Sequence, residues 1–103
     1  MVINVRLEDR LEGANNFRSW RTRILFVLEE NDIQNHVRLE ITESEGEERI
    51  KYRKNEGKAK RILIDSMKDH LIPHISEQET AKKMFDALVG LFERNNTNMK
   101  LAL

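Results

Sequence analysis

Residues 17–31 read FRSWRTRILFVLEEN, and the spacing of their apolar side chains decides the fold. Phe17, Trp20, Ile24, Val27 and Leu28 recur at three- and four-residue steps, which places them on one face of an α-helix. Arg18, Arg21, Arg23 and Glu29 fall elsewhere on the wheel. Burying a large aliphatic or aromatic side chain is worth roughly 1.5–3 kcal/mol, so this face is expected to be the main support of the fold. Gly13 supplies a turn ahead of it, and Asn15 or Asn16 is placed to cap the first free amides. The helix is expected to end near Asn31.

A second stripe answers the first. Residues 71–93, LIPHISEQETAKKMFDALVGLFE, carry Met84, Phe85, Leu88, Leu91 and Phe92 at helical steps. This predicts a helix over about 80–94, with Ser76 and Glu79 at capping-box spacing and Thr80 as an alternative cap. Pro73 breaks regularity before it, with Leu71, Ile72 and Ile75 closing the end of the core. Between the two stripes a third helix is predicted over about 49–68, with Ala59, Ile62, Leu63, Ser66 and Met67 turned inward. Gly57 weakens that helix by about 1 kcal/mol relative to alanine, so its first half is expected to fray or bend. Two short runs alternate instead. Ile3, Val5 and Leu7 in residues 2–8, and Val37, Leu39 and Ile41 in residues 36–42, have the period of two expected of half-buried strands. A two-stranded β element at 2–8 and 36–42 is therefore allowed, although alone it would be marginal. The acidic residues 43–50, with Gly46 among them, read as an exposed, mobile loop.

The chain has 103 residues, which is one domain by the usual length prior. Charged residues make up 35% and apolar ones 39%, within the range of a soluble globular domain. The longest apolar run, Ile24 to Leu28, is far short of the roughly 20 residues that span a bilayer. Arg6, Glu8, Asp9 and Arg10 interrupt any secretory signal at the start. The absence of cysteine excludes disulfides and thiol-ligated zinc. The formal charge is zero but segregated. Residues 43–48 hold four glutamates, whereas Lys51, Arg53, Lys54, Lys58, Lys60 and Arg61 face Glu56 alone, a local charge of +5. These six bases are the candidate nucleic-acid contacts, although a solvated helix face is the commoner reading of such a run.

No residue set points to catalysis, and no cofactor is implied. His70 and His74 are four apart, but Pro73 between them disfavours the helix that would align two metal ligands. His36 stands alone. Asp65 and Asp69 form an i, i+4 pair expected to engage Arg61 or Lys68. Ser19, Ser44, Ser66 and Ser76 lack a glycine-elbow context, and Gly46 and Gly57 form no phosphate loop. Asn95-Asn96-Thr97 matches a glycosylation sequon without a secretory signal to expose it. Trp20 has the ring to stack on a base, but its period-matched neighbours favour a core role. The chain therefore reads as a non-enzymatic packing and assembly module.

The order LEGANNFRSWRTRILFVLEEND over 11–32, then YRKNEGKAKRILIDSMKDHLIPHISEQETAKKMFDALVGLFERNN over 52–96, resembles the Gag polyprotein of copia-type LTR retrotransposons. The matching positions are Leu11, Gly13, Asn16, Phe17 and Trp20; Tyr52, Ala59, Ile62 and Ser66; then Pro73, Ile75, Thr80, Ala81, Phe85, Leu88 and Phe92. Tyr52 and Phe85 stand where that family commonly has tryptophan, and residues 36–50 are longer and more acidic than its pattern. The resemblance implies a mainly α fold, a small helical bundle like the N-terminal part of a retroviral or retrotransposon capsid region, and the apolar MKLAL ending reads as a cut within a longer Gag chain. It further implies a structural protein that self-associates into a virus-like particle shell packaging RNA in the cytoplasm. Its partners would be further copies of itself and, weakly, RNA, with no membrane and no small-molecule substrate. The structural core would comprise Phe17, Trp20, Ile24, Val27, Leu28, Ile62, Leu63, Met67, Phe85, Leu88 and Phe92. Two other readings stand beside it: a nucleic-acid-binding module using residues 51–61, and a Gag-derived host adaptor or restriction protein.

Overall fold

The computed structural model describes residues 9–39 and 46–94, and it is mainly helical. Four α-helices follow in order: α1, Phe17–Glu30; α2, Asn35–Arg38; α3, Glu47–Asp65; and α4, Ala81–Val89. A 3-10 turn, Ala14–Asn16, leads into α1; another, Asp69–His74, joins α3 to α4; and a π-helical turn, Gly90–Arg94, extends α4. The three longer helices close on one core. From α1 it takes Phe17, Trp20, Ile24 and Leu28, from α3 Ala59, Ile62 and Leu63, and from α4 Ala81, Met84, Phe85 and Leu88. Leu11, Ile33, Val37, Met67, Leu71, Ile75 and Phe92 complete it from the turns and α2, while Val27 is only partly buried at its margin. Four aromatic rings form a continuous row through this core: Phe92 to Phe17 at 5.5 Å, Phe17 to Trp20 at 5.8 Å, and Trp20 to Phe85 at 6.2 Å. Such contacts add to the area term because ring edges and faces carry opposite partial charge.

The indole N–H of Trp20 has a polar partner in this apolar setting. It donates to the Ser66 carbonyl at 2.9 Å and to Ser66 Oγ at 3.0 Å. Ser66 Oγ in turn donates to the Leu63 carbonyl at 2.8 Å. The same corner holds the chain's entry. Leu11 N–H donates to the Ser66 carbonyl at 2.9 Å and Lys68 N–H to the Leu11 carbonyl at 3.0 Å, an isolated parallel bridge between Leu11 and Met67. Glu12 and Lys68 pair above the bridge. The Lys68 ammonium, by hydrogen bond and by charge, holds the Glu12 carboxyl below its ordinary value. A lowered carboxylate adds stability above its unfolded value and loses it as acid protonates the folded form. On this solvent-screened surface pair the effect is slight.

Several local expectations are corrected. Asn16 does not cap α1: its Oδ1 accepts from Glu12 N–H at 3.0 Å and Gly13 N–H at 3.3 Å, so the side chain reaches back to pin the preceding turn. Residues 35–38 are helical, not a strand. Ile33, His36 and Val37 bury together at helical spacing, and a run this short fits either period until its partners are known. Residues 2–8 and 40–42 of the expected β element lie outside the described residues. Among those described there is the single Leu11–Met67 bridge and no strand. The expected acidic loop at 43–50 is helical from Glu47 onward, because Glu47 and Glu48 sit in the first turn of α3, where carboxylates meet the positive end of the helix dipole. Residues 43–45 are outside the description.

Helix ends follow known chemistry elsewhere. Thr80 Oγ1 accepts from Lys83 N–H at 3.1 Å and caps α4, so Thr80 rather than Ser76 starts this helix. After α1, Asp32 N–H donates to the Glu29 carbonyl and Ile33 N–H to the Leu28 carbonyl, both at 3.0 Å, with Asp32 at φ 58°. This is the Schellman arrangement, with Leu28 and Ile33 in the core as its apolar pair. Gly57 neither ends nor breaks α3, and a Cβ placed there meets nothing within 4 Å.

Three stability outcomes are expected in urea denaturation. Trp20→Ala should cost roughly 3–5 kcal/mol, whereas Ser66→Ala, which leaves the indole its carbonyl partner, should cost only about 1–2 kcal/mol. An unchanged midpoint for Trp20→Ala would refute the central place given to the indole. Gly57→Ala, filling open space on a helix, should raise stability by about 0.5–1 kcal/mol, and a loss would show that α3 needs glycine there.

Candidate functional site

α3 positions the six candidate bases. With Ala59, Ile62 and Leu63 turned into the core, a rotation of about 100° per residue puts Ile50, Lys54, Gly57 and Arg61 on the opposite side. Lys51 and Lys58 flank that line on one side, Arg53 and Lys60 on the other. Lys51, Arg53, Lys54 and Arg61 are exposed, and Lys58 and Lys60 are half-exposed. The structure therefore gathers all six on the outer half of one helix. Arg61 is engaged by Asp65 one turn on, at 3.5 Å. Ile50 stands 71% exposed at the start of this face, an apolar residue among the bases.

The acid that diluted the run is absent from the outer face. Glu56 is buried and joins three elements: its Oε1 accepts from His36 Nδ1 at 2.9 Å, and its Oε2 accepts from the Ala81 backbone N–H at 2.6 Å. The carboxylate of α3 thus satisfies the first amide of α4 and holds the ring of α2, where His36 also packs on Tyr52 with centroids 5.5 Å apart. Sequence reasoning left His36 without a role and counted Glu56 as a surface charge. The available signal was helical spacing: Glu56 lies three residues before Ala59 and seven before Leu63, on the core side of α3.

Beside this joint lies a cavity of about 180 Å³ lined by His36, Leu39, Tyr52, Glu56, Thr80, Lys82 and Lys83. Its polar groups are committed. Glu56 accepts from two donors, Lys82 pairs with Asp86 at 2.5 Å, and Lys83 reaches Glu79 at 3.6 Å. The arrangement is that of a structural polar joint: both carboxylate oxygens are tied to the fold. His70 and His74 are not brought together as ligands. His70 Nε2 donates to the Glu12 carbonyl at 2.9 Å while His74 is exposed on the 3-10 turn. Among the described residues no group of three or more His, Asp or Glu side chains is placed to hold a metal ion. No described helix is long and apolar enough to cross a membrane.

A second surface feature was not foreseen. Phe26, on the side of α1 opposite Phe17 and Ile24, is 61% exposed. With Thr22, Leu25, Glu29 and Arg38 it lines a shallow groove of about 240 Å³. Helical spacing alone could have shown it, since Phe26 falls outside the Phe17–Trp20–Ile24–Leu28 row. Comparisons of the chain with protein-family models, with curated proteins and with solved structures find no match.

Glu56→Ala should destabilise the domain by about 3 kcal/mol, because it strands a buried imidazole and a buried helix-terminal amide together. Arg61→Ala, which removes only an exposed pair, should change stability by less than about 1 kcal/mol. Equal effects in paired thermal melts would show that Glu56 is not the joint between α2, α3 and α4.

Proposed function

We propose that this chain is a structural, self-associating domain of the capsid type, similar to the N-terminal capsid part of a copia-type Gag polyprotein. Its work would be to build, from many copies, a shell that encloses RNA as a virus-like particle in the cytoplasm. The observation that carries this reading is the placement of the residues on which the resemblance rests. Eleven of its sixteen positions, Leu11, Phe17, Trp20, Ala59, Ile62, Ser66, Ile75, Ala81, Phe85, Leu88 and Phe92, are scattered over more than 80 residues yet are buried together, while Gly13, Asn16, Tyr52 and Thr80 are half-buried and Pro73 is exposed. An ordered motif whose members share one core behaves as a fold signature. The outward surface supports the assembly part, because Phe26, Leu39 and Ile50 present apolar side chains that the domain itself does not cover.

Shell building asks for repeated, individually modest contacts, each below about 1,200 Å², made effective by the number of neighbours in a lattice. Such an interface needs a stable block and an adhesive surface rather than a reaction centre. Sedimentation and light scattering over a wide concentration range should show a weight-average mass that keeps rising above that of the monomer, with sheets or closed shells in electron micrographs at the upper end. A chain that stays monomeric at every concentration and salt would overturn the reading.

A further inference from the structure

We infer that the Phe26 groove of one molecule receives the outer face of α3 of a second copy, a head-to-tail contact; this rests on the assembly reading above and names its surfaces. Two exposed surface features fit each other. The groove has an apolar floor, Leu25 and Phe26, with Glu29 and Arg38 among its lining residues; Glu30 and Asp32 add exposed carboxylates at the C-terminal end of α1, while Arg23, one turn before Phe26, is engaged by Asp9 at 3.5 Å. The outer face of α3 offers the converse, the protruding side chain of Ile50 followed by Lys51, Lys54 and Lys58. Ile50 supplies an apolar group for Phe26, and the lysines supply counter-charges for the acidic end of α1. The acids of α3 itself lie near its two ends, Glu47 and Glu48 in the first turn and Asp65 in the last. Glu56, the acid amid the bases, is withdrawn into the core by His36 and Ala81.

One molecule cannot join its own two patches. α1 and α3 bury their inner faces in the same core, so their outer faces turn away from it. The contact is therefore heterologous, and heterologous contacts propagate into rings or open lattices rather than stopping at a dimer. A polyanion such as RNA is the competing occupant of the α3 face. Ile50 argues for a protein surface, because a phosphate backbone gains nothing from an exposed isoleucine, whereas the Phe26 groove does. The chain's zero net charge also suits an acid-to-base contact within one species.

A mixing experiment with the whole chain tests the pairing. Phe26→Gln disables the groove, and the double variant Lys54→Glu/Lys58→Glu disables the α3 face. All three positions lie outside the core, and unchanged thermal melts will show that both variants fold. Each variant alone should stay monomeric at concentrations where the wild-type chain grows in mass. Mixed in equal amounts they should form a dimer and nothing larger, because one intact groove meets one intact α3 face. Raising the salt should weaken wild-type growth, since the charges that steer it are exposed. If the wild-type chain assembles and both variants assemble equally well, this surface assignment is overturned while the assembly reading survives. If the variants are each monomeric but do not dimerise when mixed, the contact is not head-to-tail and the assignment falls. If the double variant assembles normally but loses salt-sensitive binding to a single-stranded RNA oligonucleotide, the α3 face belongs to nucleic acid and the proposal is overturned. A wild-type chain that never associates removes the assembly reading itself.

Discussion

The indole of Trp20 is the point at which the fold is tied together. Its ring is in the apolar row that runs from Phe92 through Phe17 to Phe85, while its N–H is held by the carbonyl and hydroxyl of Ser66. That carbonyl also receives the amide of Leu11, so the segment before α1, the first turn of α1 and the end of α3 converge on one residue. A buried polar group without a partner costs about 1–3 kcal/mol, and the indole has no other way to enter the core complete. Hydrophobic burial brings α1, α3 and α4 together without direction; the Ser66 contacts select one register among the ways those faces could slide.

A second polar joint does the same for the other side of the molecule. The short α2 buries only His36 and Val37, too little to fix its position by area alone. The Glu56 carboxylate supplies the missing specificity by holding the His36 ring and the first amide of α4 at once. The consequence reaches the surface. A residue that would have diluted the basic run of α3 is spent on internal architecture, and the outer face is left more positive than its composition implies. Stability and surface chemistry are thus coupled through one side chain.

How far the chain could be read without coordinates varied with the length of the pattern. The α1 stripe spans four turns, so Phe17, Trp20, Ile24 and Leu28 were legible as one buried row, and the α3 and α4 rows followed on the same ground. Short segments were not legible. Val37 and Leu39 fit a strand by alternation, yet the burial of Ile33, His36 and Val37 made the segment a helical turn. Asn16 has the chemistry of a helix cap and turned backwards, because Glu12 and Gly13 amides lay within its reach. Ser76 had the capping-box spacing and Thr80 stood as the second candidate, and it is Thr80 Oγ1 that accepts the Lys83 amide.

Periodicity and composition by themselves determined that this is a small helical domain with three apolar faces, that its core is led by an early tryptophan, and that its charge is segregated along the chain. These follow from sequence because helical spacing projects straight onto one face of one element. Only the tertiary structure decided that Glu56 and His36 meet and that Ser66 receives both an indole and a backbone amide. Each of those depends on which residues from distant parts of the chain arrive within hydrogen-bonding or van der Waals range, and no local spacing rule carries that information.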